Sequence, residues 1–283
     1  MTSNSSTRLE SSSDIAAVES CKIESWLLSI DDRSVEYWSD PENEKGKVFD
    51  VSDGDLEKLE QDRHLIDIFN NVQALIQLTK LKLDYSKILS LASGVCWLEA
   101  RLLKNTSNFE LTALDYAKHR IHRLAPEIFQ WYGLGGSHIN LVHGSMLELR
   151  LEDQSQDVVL LSQAFHHTCE PYRLLTEIKR VLREDGTVLI VGEHYFDSVI
   201  QIKQTIKHFI KWVLNYQDKY RSVHRFVPDY QSLFPRSFEK GDIHYPMVEY
   251  DALFTGAGFT YERYVHKPEQ LQSFVLRKDT KRV

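Results

Sequence analysis

The chain has 283 residues, 42% of them apolar, with 13 Phe and 13 Tyr, which suits one α/β core with helical additions better than two full domains. A net charge of −7 excludes a nucleic-acid binder that works by bulk electrostatics, and no apolar run approaches the roughly 18 residues that span a membrane. Three widely spaced cysteines, Cys21, Cys96 and Cys169, contain no CxxC pair. They suggest neither a disulfide framework nor a zinc site, so no metal is expected and a reducing cytoplasm is the expected location.

Residues 1–13 are rich in Ser, lack the charged-then-apolar order of a signal peptide, and read as a disordered tail. Residues 14–84 read as a helical cover. Asp14–Ile30 places Ile15, Val18, Ile23, Trp26, Leu27 and Ile30 near helical spacing, and Asp55–Leu81 repeats the pattern from Leu56 to Leu78. The polar, turn-rich stretch between them carries Tyr37 and Trp38, which read as packing in the helical cover, with closure over a ligand as the alternative for either.

From Lys87 the pattern changes to short apolar runs: Ile88–Leu91, Leu111–Leu114, Ile139–Val142, Val158–Leu161 and Val188–Val191. Amphipathic stretches at Trp97–Lys104, Ala117–Tyr132 and Pro171–Leu182 separate them. Short apolar runs bounded by turns suit strands buried on both faces, and their alternation with helices predicts a doubly wound, mostly parallel sheet. Val199–Tyr216 continues as a helix, and Tyr216–Phe238 is an aromatic-rich insertion containing His224, Arg225 and Tyr230. Phe259–Val265 and Phe274–Arg277 then predict an antiparallel C-terminal hairpin. Residues 85–283 thus form the expected ligand-binding domain, with an acceptor-site insertion at about 199–247.

The turn after the first core strand is the most informative segment. Ile88-Leu-Ser-Leu-Ala-Ser-Gly94 ends in small residues just before a helix, where a backbone must bend and a ligand can approach closely. A tight turn without a ligand reads the same way. Asp115 follows at the end of the second run, where its paired acceptor oxygens can take both hydroxyls of a ribose; alone, it is equally a helix N-cap before Tyr116. A dinucleotide is disfavoured, because Ala92-x-Gly94-x-x-Trp97 lacks the three glycines that hold a pyrophosphate.

Lys87 to Val191 resembles the class I S-adenosylmethionine (SAM)-dependent methyltransferases. Their first motif has an acid followed by three alternate glycines; here Ser90, Ala92, Gly94 and Cys96 occupy those places. Asp115 matches the ribose-binding acid, and His143-Gly-Ser-Met146 matches the Gly-Asp stretch, with Ser145 at the adenine-binding Asp. Leu149–Leu161, Ser162–His167, Leu175–Gly192 and Met247–Phe259 resemble the segments that follow. The resemblance covers about two thirds of the chain. It implies a Rossmann-like, seven-stranded α/β fold, SAM as cofactor with S-adenosylhomocysteine as product, and a small-molecule acceptor, with a homodimer as the assembly to test for. It implies a cofactor site of Leu91, Ala92, Ser93, Gly94, Asp115, Tyr116, Ser145, Met146, Gln163, Ala164 and His166. Oxygen is the expected acceptor atom, with His167, then His194, then His244 as the base, since a neutral imidazole takes a proton near pH 7. Each of these is otherwise a structural histidine. Two further readings stay open: an enzyme that uses bound SAM without methyl transfer, and a binding protein on the same fold.

Overall fold

The computed structural model describes residues 20–26, 38–44, 56–106, 108–168, 170–194, 206, 210, 243, 245, 247–266 and 271–280. Eight strands build one sheet: β1 (Lys22–Ser25), β2 (Lys87–Leu91), β3 (Glu110–Asp115), β4 (Ile139–His143), β5 (Gln156–Ser162), β6 (Leu182–His194), β7 (Phe259–His266) and β8 (Leu271–Lys278). Their order is β1-β4-β3-β2-β5-β6-β8-β7. β1 to β6 run parallel, whereas β8 pairs antiparallel with both β6 and β7. The expected doubly wound architecture and C-terminal hairpin are present, with one strand beyond the expected seven.

That extra strand corrects the helical expectation at Asp14–Ile30. Lys22–Ser25 lies parallel to β4, with Ile23 opposite Leu141, and the Trp26 amide donates to the His143 carbonyl at 2.9 Å. Apolar spacing at Ile23 and Trp26 does not reveal the open row of backbone donors and acceptors that β4 offers, and pairing with that row overrides local propensity. A Cβ on Gly144 would stand 3.1 Å from the Trp26 Cβ, so the absence of a side chain there lets Trp26 seat against the sheet.

The helices are α1 (Leu56–Gln61), α2 (Arg63–Thr79), α3 (Trp97–Leu103), α4 (Ala125–Trp131, preceded by a π-turn at Arg120–Leu124), α5 (Pro171–Val181) and α6 (Met247–Gly256). Alternate residues of each strand face opposite layers. Ile88, Leu111, Leu160 and Leu189 pack with α1 to α4, while Leu89, Leu91, Leu114, Val159, Leu161 and Ile190 pack with α5 and α6. Each such burial contributes roughly 1.5–3 kcal/mol. The N-terminal helices are tied to the domain by Glu60, which accepts from Trp97 Nε1 at 3.1 Å and from the Tyr132 hydroxyl, and pairs with Arg101 at 3.3 Å. α2 starts where the Asp62 carboxylate accepts the Leu65 amide and stops at Lys80, which adopts a left-handed conformation. The Val199–Tyr216 and Tyr216–Phe238 expectations lie outside the described residues, apart from positions 206 and 210. Among the described residues, no helix is long and apolar enough to cross a membrane.

Candidate active site

A cavity of about 350 Å³ opens at the carboxyl ends of β2, β3 and β5, where open α/β sheets hold ligands. The turn after β2 forms one wall. Ala92, Gly94 and Cys96 have φ of +50°, +59° and +61°, so all three alternate positions hold the left-handed conformation that glycine adopts most easily. For Ala92 and Cys96 this costs roughly 1–2 kcal/mol each. A Cβ on Gly94 would lie 3.8 Å from Arg120 Nη1, an ordinary contact, so backbone conformation, and no clash within the protein, is what asks for glycine there.

Asp115 holds this turn from the end of β3. It is 5% exposed; one oxygen accepts the Gly94 amide and the other the Ala117 amide, both at 2.8 Å. The Arg120 guanidinium stands 3.8 Å away and lies over the Trp38 ring, 5.2 Å from its centroid. Trp38 also meets the His167 ring edge-on at 5.2 Å. A residue of the N-terminal extension therefore bridges the two sides of the cavity, joined there by Leu65 and Ile68 of α2.

The opposite wall comes from the turn after β5 and the end of β6. Gln163 takes φ +51°, its amide donates to Val191 at 2.7 Å, and its side chain lies 2.8 Å from His64 Nε2. Gly192 is obligatory beside it, since a Cβ there would come within 2.7 Å of Ile68 and 2.8 Å of Gln163. Glu193 is wholly buried. Its Oε2 lies 3.0 Å from His166 Nδ1 and accepts the Tyr250 hydroxyl at 3.0 Å, and its Oε1 accepts the Phe165 amide at 3.1 Å. Burial alone would raise this carboxyl's pKa, but the charge and hydrogen bond of His166, with the Tyr250 hydroxyl, hold it below the ordinary range. Burial, with Glu193 as a neighbour, pushes the Tyr250 phenol well up. The segment around Ile243 and Tyr245 closes on the same turn: the Ile243 amide donates to His166 at 2.8 Å and the Tyr245 hydroxyl to Thr168 at 2.8 Å.

Of the sequence-predicted cofactor residues, Ala92, Ser93, Gly94, Asp115, Tyr116, Ser145, Met146, Gln163 and His166 line this cavity. Leu91 and Ala164 do not; they are 0% and 1% exposed in the core that faces α5 and α6. Alternation along the strand turns Leu91 away from the site. Ser145 lines the cavity but accepts the Leu147 amide at 3.2 Å, so part of its hydrogen-bonding capacity serves its own loop. Among the expected bases, His167 lines the cavity and His194 does not; its ring lies 5.5 Å from that of His166. His244, His224, Arg225, Tyr230 and Tyr37 lie outside the described residues. Sequence reasoning gave no role to Arg120 or Glu99, which line the cavity, or to Tyr250 behind it. A lone Glu inside the otherwise apolar run Val95–Leu98 and Ala100 was the available signal for Glu99.

Comparison with known proteins agrees with this architecture. Residues 89–190 match the family model described as a methyltransferase domain. None of the curated proteins matches the chain. A candidate SAM-dependent methyltransferase from Methanococcus maripaludis aligns with 86% of this chain and 95% of its own, at 16% identity and a TM-score of 0.55. A SAM-dependent methyltransferase from Aquifex aeolicus covers 78% of this chain and 97% of its own, at 16% identity and a TM-score of 0.52. A candidate O-methyltransferase from Nostoc punctiforme covers 78% and 59%, at 21% identity and a TM-score of 0.52. At such identities the likeness is one of fold. Residues 89–190 match a methyltransferase domain, and the fold around them is that of SAM-dependent methyltransferases, so S-adenosylmethionine is the cofactor that the match implies.

Proposed function

We propose that the chain transfers the methyl group of SAM to an oxygen of a small-molecule acceptor. The observation that carries this reading is one cavity with a fixed carboxylate on one wall and a carboxylate-oriented imidazole on the other. The bound cofactor supplies a methyl group already activated on a sulfonium. The chain's own residues then bind, align and exclude water.

Asp115 suits the ribose: each of its oxygens uses one acceptor position on a backbone amide, leaving further lone pairs for the two hydroxyls. Leu65, Ile68, Leu98 and Trp38 give the cavity apolar cover that keeps water from the reacting centre. His166 is the best-supported base. Glu193 engages its Nδ1, which leaves Nε2 as the basic nitrogen to take the acceptor's proton. His167, which lines the same cavity, comes second, and His194 third.

The test is label transfer from SAM carrying a radioactive methyl group to a panel of phenols and aliphatic alcohols. Labelling of at least one acceptor is expected. His166→Gln should lower its single-turnover rate by about 10²–10⁴-fold, with SAM affinity within about twofold of wild type. A protein that binds SAM yet labels no hydroxyl compound would reject oxygen transfer. Retention of more than about a tenth of the rate in His166→Gln would reject the base.

A further inference from the structure

We propose that Glu99 is a cofactor-binding residue whose free carboxyl oxygen accepts the α-ammonium of the methionine part of SAM. The inference rests on the cavity being the SAM site and adds a second carboxylate to it. Glu99 lies in the first turn of α3, is 3% exposed and lines the cavity. Its Oε1 accepts the Ser90 hydroxyl at 2.5 Å, and its Oε2 is buried with no hydrogen-bond partner among the described residues. Ser90 is itself 1% exposed and occupies the strand position where the resembled family carries an acid.

A buried carboxyl with an unused oxygen is expensive, and an apolar side chain would fill the space more cheaply. Such a group persists where a ligand supplies the missing donor. Burial, with the Asp115 carboxylate adding to it and the Ser90 hydroxyl opposing it, raises the Glu99 pKa to about 7. The group therefore gains most from a cationic partner. Arg120 does not fill that role, since its guanidinium pairs with Asp115 and stacks on Trp38. Asp115, in turn, has its ribose role on the other side of the turn. Of the two positive centres of SAM, the sulfonium has no N–H or O–H to donate, whereas the ammonium has three. The unused oxygen calls for a donor, and the ammonium is the cation that provides one.

The experiment compares three ligands by calorimetry on the full chain and its Glu99→Gln variant: SAM, S-adenosylhomocysteine and 5′-methylthioadenosine, which lacks the amino-acid part. Glu99→Gln should weaken SAM and S-adenosylhomocysteine at least about tenfold and leave 5′-methylthioadenosine within about twofold. Equal losses for all three ligands, or wild-type affinity for SAM, would overturn the proposal. A wild-type chain that binds none of them would overturn the cofactor reading, and this proposal with it. If Glu99→Gln does not fold, Ser90→Ala serves in its place. Loss of the hydroxyl that seats the carboxyl should weaken the two amino-acid ligands at least about threefold and spare 5′-methylthioadenosine; no such selectivity would again overturn it.

Discussion

Two buried carboxylates stand on opposite sides of the cavity, Glu99 lining it and Glu193 behind His166, and their pKa values move in opposite directions. Glu99 receives one neutral hydroxyl and is raised to about 7. Glu193 is as deeply buried, yet the charge and hydrogen bond of His166, with the Tyr250 hydroxyl, pull it below the ordinary value. Burial penalises both charges; the partners decide the outcome. The β6 wall is a finished network whose carboxylate is fully engaged within the protein. On the β2 wall, acceptor capacity is left over, and the backbone is held in a glycine-like path by residues that are mostly not glycine. One side is built to orient, the other to receive.

The comparison breaks most visibly at Glu193. Replacing it with Ala leaves the His166 ring, the Tyr250 hydroxyl and the Phe165 amide without their shared acceptor in a dry interior. A loss on the order of 3–5 kcal/mol in urea unfolding is expected. A loss below about 1 kcal/mol would mean that the network contributes little to the fold.

Asp115→Ala comes next. It removes the proposed ribose acceptor and also frees the Gly94 and Ala117 amides. SAM affinity should fall at least about tenfold by calorimetry, with a measurable drop in the thermal midpoint. An unchanged affinity would place the ribose elsewhere.

The opposed pKa shifts sharpen the contrast through pH. Folded Glu99 holds its proton more tightly than the unfolded chain does, so stability should decline as pH rises from the ordinary value near 4.5 to about 7. Glu193 does the reverse. Its contribution is complete above its ordinary value near 4.5 and is lost as pH falls towards the depressed folded value. Unfolding curves from about pH 2.5 to 8 should show the neutral-range decline in wild type and not in Glu99→Gln. Glu193→Gln should change only the acid side.

The smallest effect belongs to the turn. Ala92→Gly relieves a left-handed residue and should leave stability unchanged or raise it by up to about 1 kcal/mol, with SAM binding retained. Gly94→Ala should cost roughly 1–2 kcal/mol through its φ of +59°, since the added methyl group meets Arg120 only at ordinary contact distance.

Much of this was readable in the residues. The core strands β2 to β6 announce themselves as short apolar runs because both of their faces are covered, and the hairpin follows the Gly256–Gly258 turn. Asp115 was legible because its distance from the small-residue turn is fixed by one intervening helix. β1 was not, since its reason for being a strand is the edge of β4 more than a hundred residues away. The left-handed Ala92 and Cys96 contradict their own residue types; tertiary contacts impose that path, and no local preference reports it. Glu193 stood in a legible place near the end of β6. Its network includes Tyr250, 57 residues further on, and the choice of His166 over His167 followed from the contact between Glu193 and His166 Nδ1.

The measurement closest to the central claim is calorimetric titration of SAM and S-adenosylhomocysteine into the wild-type chain and into Asp115→Ala. One site per chain for both ligands in wild type, weakened at least about tenfold in the variant, is the expected result. Absence of binding by either ligand at millimolar concentration would contradict it.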